Sequence, residues 1–394
     1  MVTVLDGGLA TLLEARGHDL GTGHLWSARL LATAEGCEAI RAAHGEFIEA
    51  GAEVSTTASY QASAAGFLSA GINCAGLIER SVEAARAASK GSAGLVAGSV
   101  GPFGACLADG SEYTGRYGRS RARPRLPGEA PDKPAAPEPG KTAALVDDAI
   151  GRASEVTSAV AEGALGLEAV PWLVQFQAPR CAALASAGCD VLAMETLPCA
   201  ADAVALAAVA NALRHPCWVS FSVGRDGTHL VSGEPLAAAC AAALSVPGLA
   251  VVGVGVNCCH PSAVSRALAA LGAVVDRLRP SSGAASPHVA SGGRSSLASA
   301  VARCRRGDAF PTVLLAYPNA GEAWDAAARD WVPVARGEDG ATPGLDDWRR
   351  LAEEWKAAAA GHPLALGGCC RAGPDVVAVL RAAADAQRPA SNVA

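Results

Sequence analysis

The stretch LAVVGVGVNCCHP, residues 249–261, decides the fold. It is an apolar run that ends in a polar residue and two cysteines, a pattern typical of a buried β-strand. A segment of helical period follows at 261–278, and Pro261 stands where a first helical turn tolerates a missing N–H. The stretch therefore predicts one strand followed by one helix, the unit from which parallel sheets are built.

The same unit recurs along the chain. Strands are predicted at 2–8, 52–60, 95–102, 190–198, 217–223, 249–258, 311–319 and 363–370. Helices are predicted at 37–50, 74–89, about 145–165 with 171–187, 199–213, 235–245, 261–278, 346–360 and 374–387. Eight parallel strands, each followed by a helix, close most simply into a (β/α)8 TIM barrel of the α/β class. We expect one barrel domain over residues 1–394.

Two segments interrupt this pattern. Residues 118–142 combine alternating arginines with a Pro-rich stretch, a composition that does not bury enough apolar surface to become ordered. The arginines at 119, 121, 123 and 125 form either an anion patch or, as we favour, a solvated loop. Residues 281–309 are rich in Ser, Gly and Ala. Both are predicted to be flexible loop insertions, the first after strand three and the second at the opposite end of the barrel.

Composition and charge exclude several classes of protein. The chain has 394 residues, is 51% hydrophobic and carries a formal net charge of -6, so it does not attract nucleic acid or anionic lipid. The N-terminus begins directly with a predicted strand, and no apolar run is long enough to span a membrane, so we expect a cytoplasmic protein. Thirteen cysteines in such a chain indicate reduced, buried or metal-bound thiols rather than a disulfide framework. The sequence does not fix the oligomeric state.

The active sites of such barrels are built at the C-terminal ends of the strands. Polar residues stand at six of the predicted ends: Asp6-Gly7-Gly8, Thr56-Thr57, Glu195-Thr196, Asn257-Cys258-Cys259-His260, Tyr317-Pro318-Asn319-Ala320-Gly321-Glu322 and Gly367-Gly368-Cys369-Cys370-Arg371. We therefore expect the chemistry of the protein to lie among them.

Three cysteines at these ends predict a metal site. Vicinal Cys369 and Cys370 can face one metal only where the strand has ended, and the preceding glycines give the backbone that freedom. Cys258 reaches the same mouth from another strand. Three thiolates with one open position are typical of a catalytic Zn²⁺ site. A free thiol has a pKa of about 8.5, and coordination to the metal deprotonates a thiol substrate at neutral pH. The alternative is that these thiols are small buried hydrophobes, and Cys259 or His260 could replace or join the ligands.

The ordered motifs resemble the homocysteine S-methyltransferase family over nearly the whole chain. They are LDGGLATLLEARG (5–17), LWSARLL (25–31), GAEVSTTASYQAS (51–63), AGSVGPFGACLADGSEYTG (97–115), FQAPR (176–180), METLP (194–198), GVNC (255–258), YPNAGE (317–322) and GGCC (367–370). The resemblance implies that Cys258, Cys369 and Cys370 are the zinc ligands, in agreement with their placement.

The resemblance also implies which residues contact homocysteine. Asp6, Gly7 and Glu195 would contact its amino acid end, with the two carboxylates accepting from its ammonium. Backbone N–H groups near Gly7 and the hydroxyls of Thr56 and Thr57 would bind its carboxylate. The alternatives are a helix cap for Asp6 and a purely orienting role for Glu195.

The activity expected from the resemblance is methyl transfer from a sulfonium donor to the homocysteine thiolate, which gives methionine. S-methylmethionine ranks first as donor, S-adenosylmethionine second and betaine third. No corrin module is expected, because the barrel accounts for the chain. Two alternatives stay open: methylation of selenocysteine or another thiol, and a non-catalytic barrel that senses zinc or redox state.

Overall fold

The structure is a computed structural model. It describes residues 2–21, 25–74, 76–89, 94–127, 129, 142–160, 164–279, 296–321, 323–325, 330–332 and 342–386. In this part of the chain, no helix is long and apolar enough to cross a membrane.

Eight parallel strands form a nearly closed barrel, which confirms the predicted fold. They are β1 (Val2–Val4), β2 (Val54–Thr56), β3 (Leu95–Val100), β4 (Val191–Leu197), β5 (Cys217–Phe221), β6 (Val251–Asn257), β7 (Val313–Tyr317) and β10 (Leu364–Leu366). Their spatial order is β1-β10-β7-β6-β5-β4-β3-β2. The seam between β1 and β2 is closed by Glu53, whose N–H donates to the Val4 carbonyl at 2.8 Å and whose Oε2 accepts from the Val4 N–H at 2.9 Å. A short antiparallel pair, β8 (Ala323–Asp325) and β9 (Asp330–Val332), lies outside the barrel sheet.

Helices separate the strands in sequence. The α-helices are α1 (Leu9–Ala15), α2 (Ala34–Glu49), α3 (Ala64–Ser69), α4 (Leu77–Ala88), α5 (Phe103–Leu107), α6 (Ala143–Ala159), α7 (Val170–Ser186), α8 (Ala200–Leu213), α9 (Leu236–Ser245), α10 (Val264–Leu278), α11 (Ser296–Arg305), α12 (Leu345–Ala358) and α13 (Pro374–Asp385). Short 3₁₀ turns lie at Trp26–Ala32, Ser111–Tyr113, Arg116–Arg119 and Pro261–Ala263. The long predicted helices are all present.

The hydrophobic core has two parts. The larger part lies between the strands and the surrounding helices. The smaller part fills the barrel interior, where Leu5, Trp218 and Leu315 are almost completely buried. This filled interior leaves the strand ends as the place where a ligand can bind.

The second insertion is not entirely loop, so that prediction is wrong for part of it. Residues 296–305 form α11, whose Leu297 and Val301 belong to the barrel-interior cluster. The helix begins beside β1, where the Thr3 hydroxyl accepts from the Leu297 N–H at 3.2 Å. Because β1 starts here, α11 covers the N-terminal end of the barrel, which is the end that the sequence predicted. Residues 280–295 lie outside the described residues.

The first insertion is also ordered at its start, contrary to the prediction. The Ser120 carbonyl accepts from Trp172 Nε1 at 2.8 Å, and Leu126 is buried. Arg123 pairs with the Glu129 carboxylate at 2.9 Å, so the predicted loop is not simply solvated there. A hydrogen bond to α7, an ion pair within the segment and the burial of Leu126 thus hold the start of the insertion in place. Residues 130–141 lie outside the described residues.

Candidate functional site

The ends of the barrel strands enclose one pocket of about 280 Å³. The eight residues predicted to bind zinc or homocysteine all line it: Asp6, Gly7, Thr56, Thr57, Glu195, Cys258, Cys369 and Cys370. The structure therefore brings together side chains from five strand ends that are far apart in sequence.

The sulfur atoms of Cys258, Cys369 and Cys370 form a cluster in this pocket. The three Sγ atoms lie within 4.8 Å of one another, and Cys370 Sγ is 3.9 Å from each of the other two. Cys258 and Cys369 are joined as a disulfide, with their Cα atoms 5.6 Å apart. The eleven other cysteines are free. Because a metal binds thiolates, this disulfide and a metal on the same two sulfurs exclude each other.

A turn between the two cysteine loops holds the cluster together. This turn follows β7 and consists of Pro318, Asn319 and Ala320. The Pro318 carbonyl accepts from the Cys369 N–H at 2.8 Å, and the Ala320 N–H donates to the Cys370 carbonyl at 3.1 Å. On its other side, the Asn319 N–H donates to the Cys259 carbonyl at 3.1 Å. This turn thus positions the two loops.

The backbone at the cysteines has special conformations. Cys258 has a φ of 47°, in the left-handed region that non-glycine residues seldom adopt. Gly367 lies so close to β1 that a Cβ there would come within 2.6 Å of the Leu5 Cβ and 2.8 Å of the Asp6 carbonyl oxygen. The glycine is therefore required by close packing where the chain leaves β10, just before Cys369.

Cys259 and His260 lie outside the sulfur cluster. The group of potential metal ligands found among the described residues contains neither of them. The Cys259 side chain is buried, and burial raises its pKa to about 12. His260 Nδ1 accepts from the Ser262 N–H at 3.2 Å and thereby caps the 3₁₀ turn that precedes α10. Burial thus accounts for Cys259 and the capping bond for His260 Nδ1, whereas His260 Nε2 is buried without a hydrogen-bond partner among the described residues.

Asp6 ties β1 to β2 at the floor of the pocket. Its Oδ2 accepts from the Thr56 N–H at 2.6 Å, and its Oδ1 accepts from the Thr56 hydroxyl at 2.8 Å. Burial nevertheless raises the pKa of Asp6 to about 6, because desolvation of the charged form outweighs these hydrogen bonds. A cationic ligand near Asp6 would offset that desolvation.

Glu195 is a second buried carboxyl beside Asp6. The Ser99 hydroxyl donates to its Oε1. The pKa of Glu195 is raised to about 7, because burial and, to a smaller extent, the negative charge of Asp6 outweigh the hydrogen bonds from Ser99 and Tyr317 that lower it. Two desolvated carboxyls that repel each other form a site for a positive charge.

The threonine hydroxyls are already engaged. Thr56 donates its hydroxyl hydrogen to Asp6. Ser59 donates to the Ser99 carbonyl at 2.8 Å, so the Thr57 hydroxyl, 2.7 Å from Ser59 Oγ, must donate to Ser59. Neither hydroxyl has a free hydrogen for a substrate carboxylate, and such a contact stays a prediction that requires rearrangement. Gly7 also lines the pocket, next to Gly8, whose N–H donates to the Ala372 carbonyl at 2.9 Å.

The chemistry of the cluster fits a thiophilic cation. Burial, with smaller contributions from the charges of Glu14, Glu195 and Glu112, raises the pKa of Cys370 to about 12. A buried thiol in such a field stays protonated unless a cation compensates its charge. Three converging sulfurs with no other ligand group are the donor set that Zn²⁺ takes in sites with an open position.

Several pocket residues were not singled out from the sequence. Trp26, Tyr60, Glu112 and Tyr113 all line the pocket. The motifs LWSARLL, GAEVSTTASYQAS and LADGSEYTG contained them, but only the fold shows that these loops converge.

Comparison with known proteins agrees with this site. The homocysteine S-methyltransferase family model matches residues 3–124 and 139–384. The chain is 34% identical to a homocysteine S-methyltransferase of Escherichia coli (strain K12), over 97% of this chain and 94% of the relative. It is 32% identical to homocysteine S-methyltransferase 4 of Zea mays, over 98% of this chain and 90% of the relative.

A solved structure has the same fold. The metallated form of the homocysteine methyltransferase MmuM from Escherichia coli superposes with a TM-score of 0.61 at 30% identity, covering 97% of this chain and 96% of that chain. The barrel, its pocket of strand-end residues and these full-length matches agree: the chain is a methyltransferase enzyme and belongs to the homocysteine S-methyltransferase family.

Proposed function

We propose that this enzyme transfers a methyl group from a sulfonium donor to the thiolate of L-homocysteine, giving methionine, with Zn²⁺ held by Cys258, Cys369 and Cys370. The observation that carries the proposal is the convergence of three sulfurs in one pocket with the buried Asp6–Glu195 pair. A thiophilic metal site next to a site for an ammonium group matches the two ends of homocysteine.

Zinc, when bound by these three sulfurs, would supply the charge that keeps a coordinating thiol deprotonated at neutral pH. The known family membership and the metallated relative support this assignment. The turn at Pro318–Ala320 would keep the Cys258 and Cys370 loops in register for the metal, through the backbone hydrogen bonds described above.

Asp6 and Glu195 orient homocysteine in this proposal. Their carboxyls are desolvated and repel each other, so an ammonium group between them removes the cost of ionising both. With the ammonium fixed, the thiol end of a short amino acid reaches the sulfur cluster in one orientation. This alignment lowers the entropic part of the barrier to transfer.

The pocket favours a small cationic donor. Its volume of about 280 Å³ lies near the lower end of the ~300–1,000 Å³ range of ligand sites, as expected for amino-acid-sized ligands. Its described lining residues include five carboxylates, Asp6, Glu14, Asp109, Glu112 and Glu195, and no Lys, Arg or His. These features support S-methylmethionine as the first donor and the larger S-adenosylmethionine as the second. Betaine ranks third because the sequence motifs resemble the branch that uses sulfonium donors.

The transfer exchanges one carbon–sulfur bond for another. The homocysteine thiolate attacks the methyl carbon in line with the bond to the donor sulfonium, and that bond breaks with its electron pair going to the donor sulfur. The thiol proton has left beforehand to solvent. The donor loses its positive charge and becomes a thioether, and homocysteine becomes methionine.

The test combines metal analysis with an assay of methionine formation. The purified protein should contain one zinc per chain and should form methionine from homocysteine with S-methylmethionine, more slowly with S-adenosylmethionine and most slowly with betaine. Selenocysteine as acceptor tests the alternative substrate in the same assay. A protein that binds zinc but methylates no thiol or selenol would be a sensor, and our proposal would be wrong.

A further inference from the structure

The loop after β3 forms the outer wall of the pocket. Asp109, Gly110, Glu112 and Tyr113 all line it, and Ser111–Tyr113 form a 3₁₀ turn. The Ser111 N–H donates to Asp109 Oδ1 at 2.9 Å, which fixes the start of this turn. Glu112 therefore lies in a hydrogen-bonded turn of the pocket wall.

The packing on both sides holds this wall in place. A Cβ at Gly104, in α5, would lie 2.7 Å from the Glu112 backbone nitrogen, so the turn rests directly on α5. Beyond the turn, the Tyr117 hydroxyl lies 2.7 Å from Asp202 Oδ2, which anchors the segment to α8. The position of Glu112 is thus determined by its contacts with two helices and not by loop length alone.

Glu112 differs from the other carboxyls of the pocket in its hydrogen bonding. Asp6 accepts two bonds from Thr56, and Glu195 accepts one from Ser99. Glu112 Oε2 is buried and has no hydrogen-bond partner among the described residues. A buried acceptor without a donor costs free energy, and native structures seldom leave one without a reason.

The surroundings of Glu112 disfavour its negative charge, so a nearby cation would stabilise the ionised carboxylate. Burial, with a smaller contribution from the charge of Asp109, raises its pKa to about 7. A sulfonium has no N–H, so it can offset the charge but cannot satisfy the free oxygen. An ammonium group does both, because it is a cation with three N–H donors.

A second ammonium site is also what two amino acid substrates require. Asp6 and Glu195 form one pair, since the charge of Asp6 acts on Glu195. Glu112 has Asp109 as its charged neighbour instead and lies on a different wall. The adjacent Tyr113 is close enough to Cys370 for their charges to interact, so this wall reaches the sulfur cluster.

We propose that Glu112 accepts a hydrogen bond from the α-ammonium group of the methyl donor, and that it selects an amino acid sulfonium over onium donors without an α-amino group. This inference rests on the proposed function, because it assigns the second substrate of that reaction. Glu112 is a specificity-determining residue here, and the donor sulfonium lies between it and the cysteine cluster.

The experiment compares two donors in the wild-type enzyme and in Glu112→Gln. One donor is S-methylmethionine, and the other is 3-dimethylsulfoniopropionate, which has a dimethylsulfonium and a carboxylate but no α-amino group. With S-methylmethionine, the variant should lose about 10- to 100-fold in kcat/KM through a higher donor KM, as expected for a lost bond to a charged group. With the propionate, the loss should be clearly smaller, about threefold, because the variant loses only the charge of Glu112 near the sulfonium and no hydrogen bond.

Two further measurements keep the outcomes separate. Zinc content and the KM for homocysteine should not change in Glu112→Gln, which would show that the sulfur cluster and the Asp6–Glu195 pair are intact. Calorimetric titration of S-methylmethionine into the zinc-loaded proteins measures donor binding without turnover. Equal losses with both donors, or equal binding of S-methylmethionine to both proteins, would overturn the role of Glu112. Absence of methionine formation by the wild type would overturn the proposed function instead, and the titration would still decide the role of Glu112.

Discussion

The side-chain amide of Asn257 makes two hydrogen bonds to Thr196 across the mouth of the barrel. Its Oδ1 accepts from the Thr196 N–H at 2.7 Å, and its Nδ2 donates to the Thr196 hydroxyl at 2.8 Å. Thr196 follows Glu195 in the sequence and has a φ of 60°. Asn257 precedes Cys258, and the φ of Cys258 is 47°. The pair therefore connects the carboxyl that would hold homocysteine to a proposed metal ligand.

We predict that Asn257→Ala weakens both metal binding and homocysteine binding. The change removes two buried hydrogen bonds and leaves the Thr196 N–H without a partner, which should lower the free energy of unfolding by about 2–4 kcal/mol. Zinc affinity, the KM for homocysteine and chemical denaturation would measure the three effects. Thr196→Ser keeps the hydroxyl and is the matched control, for which we expect a much smaller loss. Full zinc affinity with an unchanged KM in Asn257→Ala would refute the positioning role.

The sulfur cluster leads to a second prediction. Cys258→Ser, Cys369→Ser and Cys370→Ser should each lose zinc and activity, because two thiolates no longer match the charge and softness of the metal. Cys259→Ser should keep both, since Cys259 lies outside the cluster. Metal analysis of the four purified variants provides the measurement. Normal zinc content in any of the first three would remove that residue from the ligand set.

The sequence brings these residues to one place because each predicted ligand stands where an apolar strand ends. Cys369 and Cys370 follow two glycines, and a barrel brings its strand ends together whatever their separation in the chain. The ends of the strands themselves were predicted less well: 363–370 was predicted as a strand, whereas β10 is Leu364–Leu366. An apolar run does not reveal where the hydrogen bonds to neighbouring strands stop.

Contacts over long sequence separations account for what the sequence did not predict. The Tyr117 hydroxyl meets Asp202, and Trp172 binds the Ser120 carbonyl, so a polar segment becomes ordered through partners on other elements. Helix α11 was missed because its apolar side is only Leu297, Ala300 and Val301 in a Ser- and Ala-rich stretch. The Glu112 side chain was not singled out from the sequence, because its unpartnered oxygen exists only in the folded chain.

The ammonium site leads to a third prediction. Asp6→Asn and Glu195→Gln should each raise the KM for homocysteine about 10- to 100-fold, since each removes a charge-assisted bond worth about 1.5–3 kcal/mol. Zinc should stay bound, because neither carboxyl belongs to the sulfur cluster. Asp6→Asn should also lower stability, because the amide nitrogen cannot accept from Thr56. Steady-state kinetics at saturating donor decide the role, and an unchanged KM in both variants would contradict it.

The raised pKa of Glu195 gives a fourth prediction. Its pKa rises from 4.5 to about 7 on folding, so the folded state binds more protons than the unfolded state between these pH values. The contribution of Glu195 to stability is therefore most favourable below about pH 4.5 and falls as the pH rises to about 7. In the protein without metal and homocysteine, Glu195→Gln should raise the Tm more at pH 8 than at pH 5. Thermal melts at both pH values measure this difference, and an equal change at both would show that Glu195 does not titrate in this window.

The last prediction concerns the far end of the barrel, where α11 covers the N-terminal ends of the strands. Leu297 is fully buried in the barrel-interior cluster, and its N–H is bound by Thr3. Leu297→Ala should lower the free energy of unfolding by about 2–5 kcal/mol, because it removes buried methyl groups and leaves a cavity. Leu68→Ala is the matched control, since Leu68 is 64% exposed and the same change there should alter stability by less than about 0.5 kcal/mol.

Zinc content and the KM values of Leu297→Ala should equal those of the wild type at temperatures where it is folded, because α11 and the pocket lie at opposite ends of the barrel. Denaturant unfolding of both variants provides the test, and a loss for Leu297→Ala no larger than that of the control would mean that α11 does not close the barrel in solution.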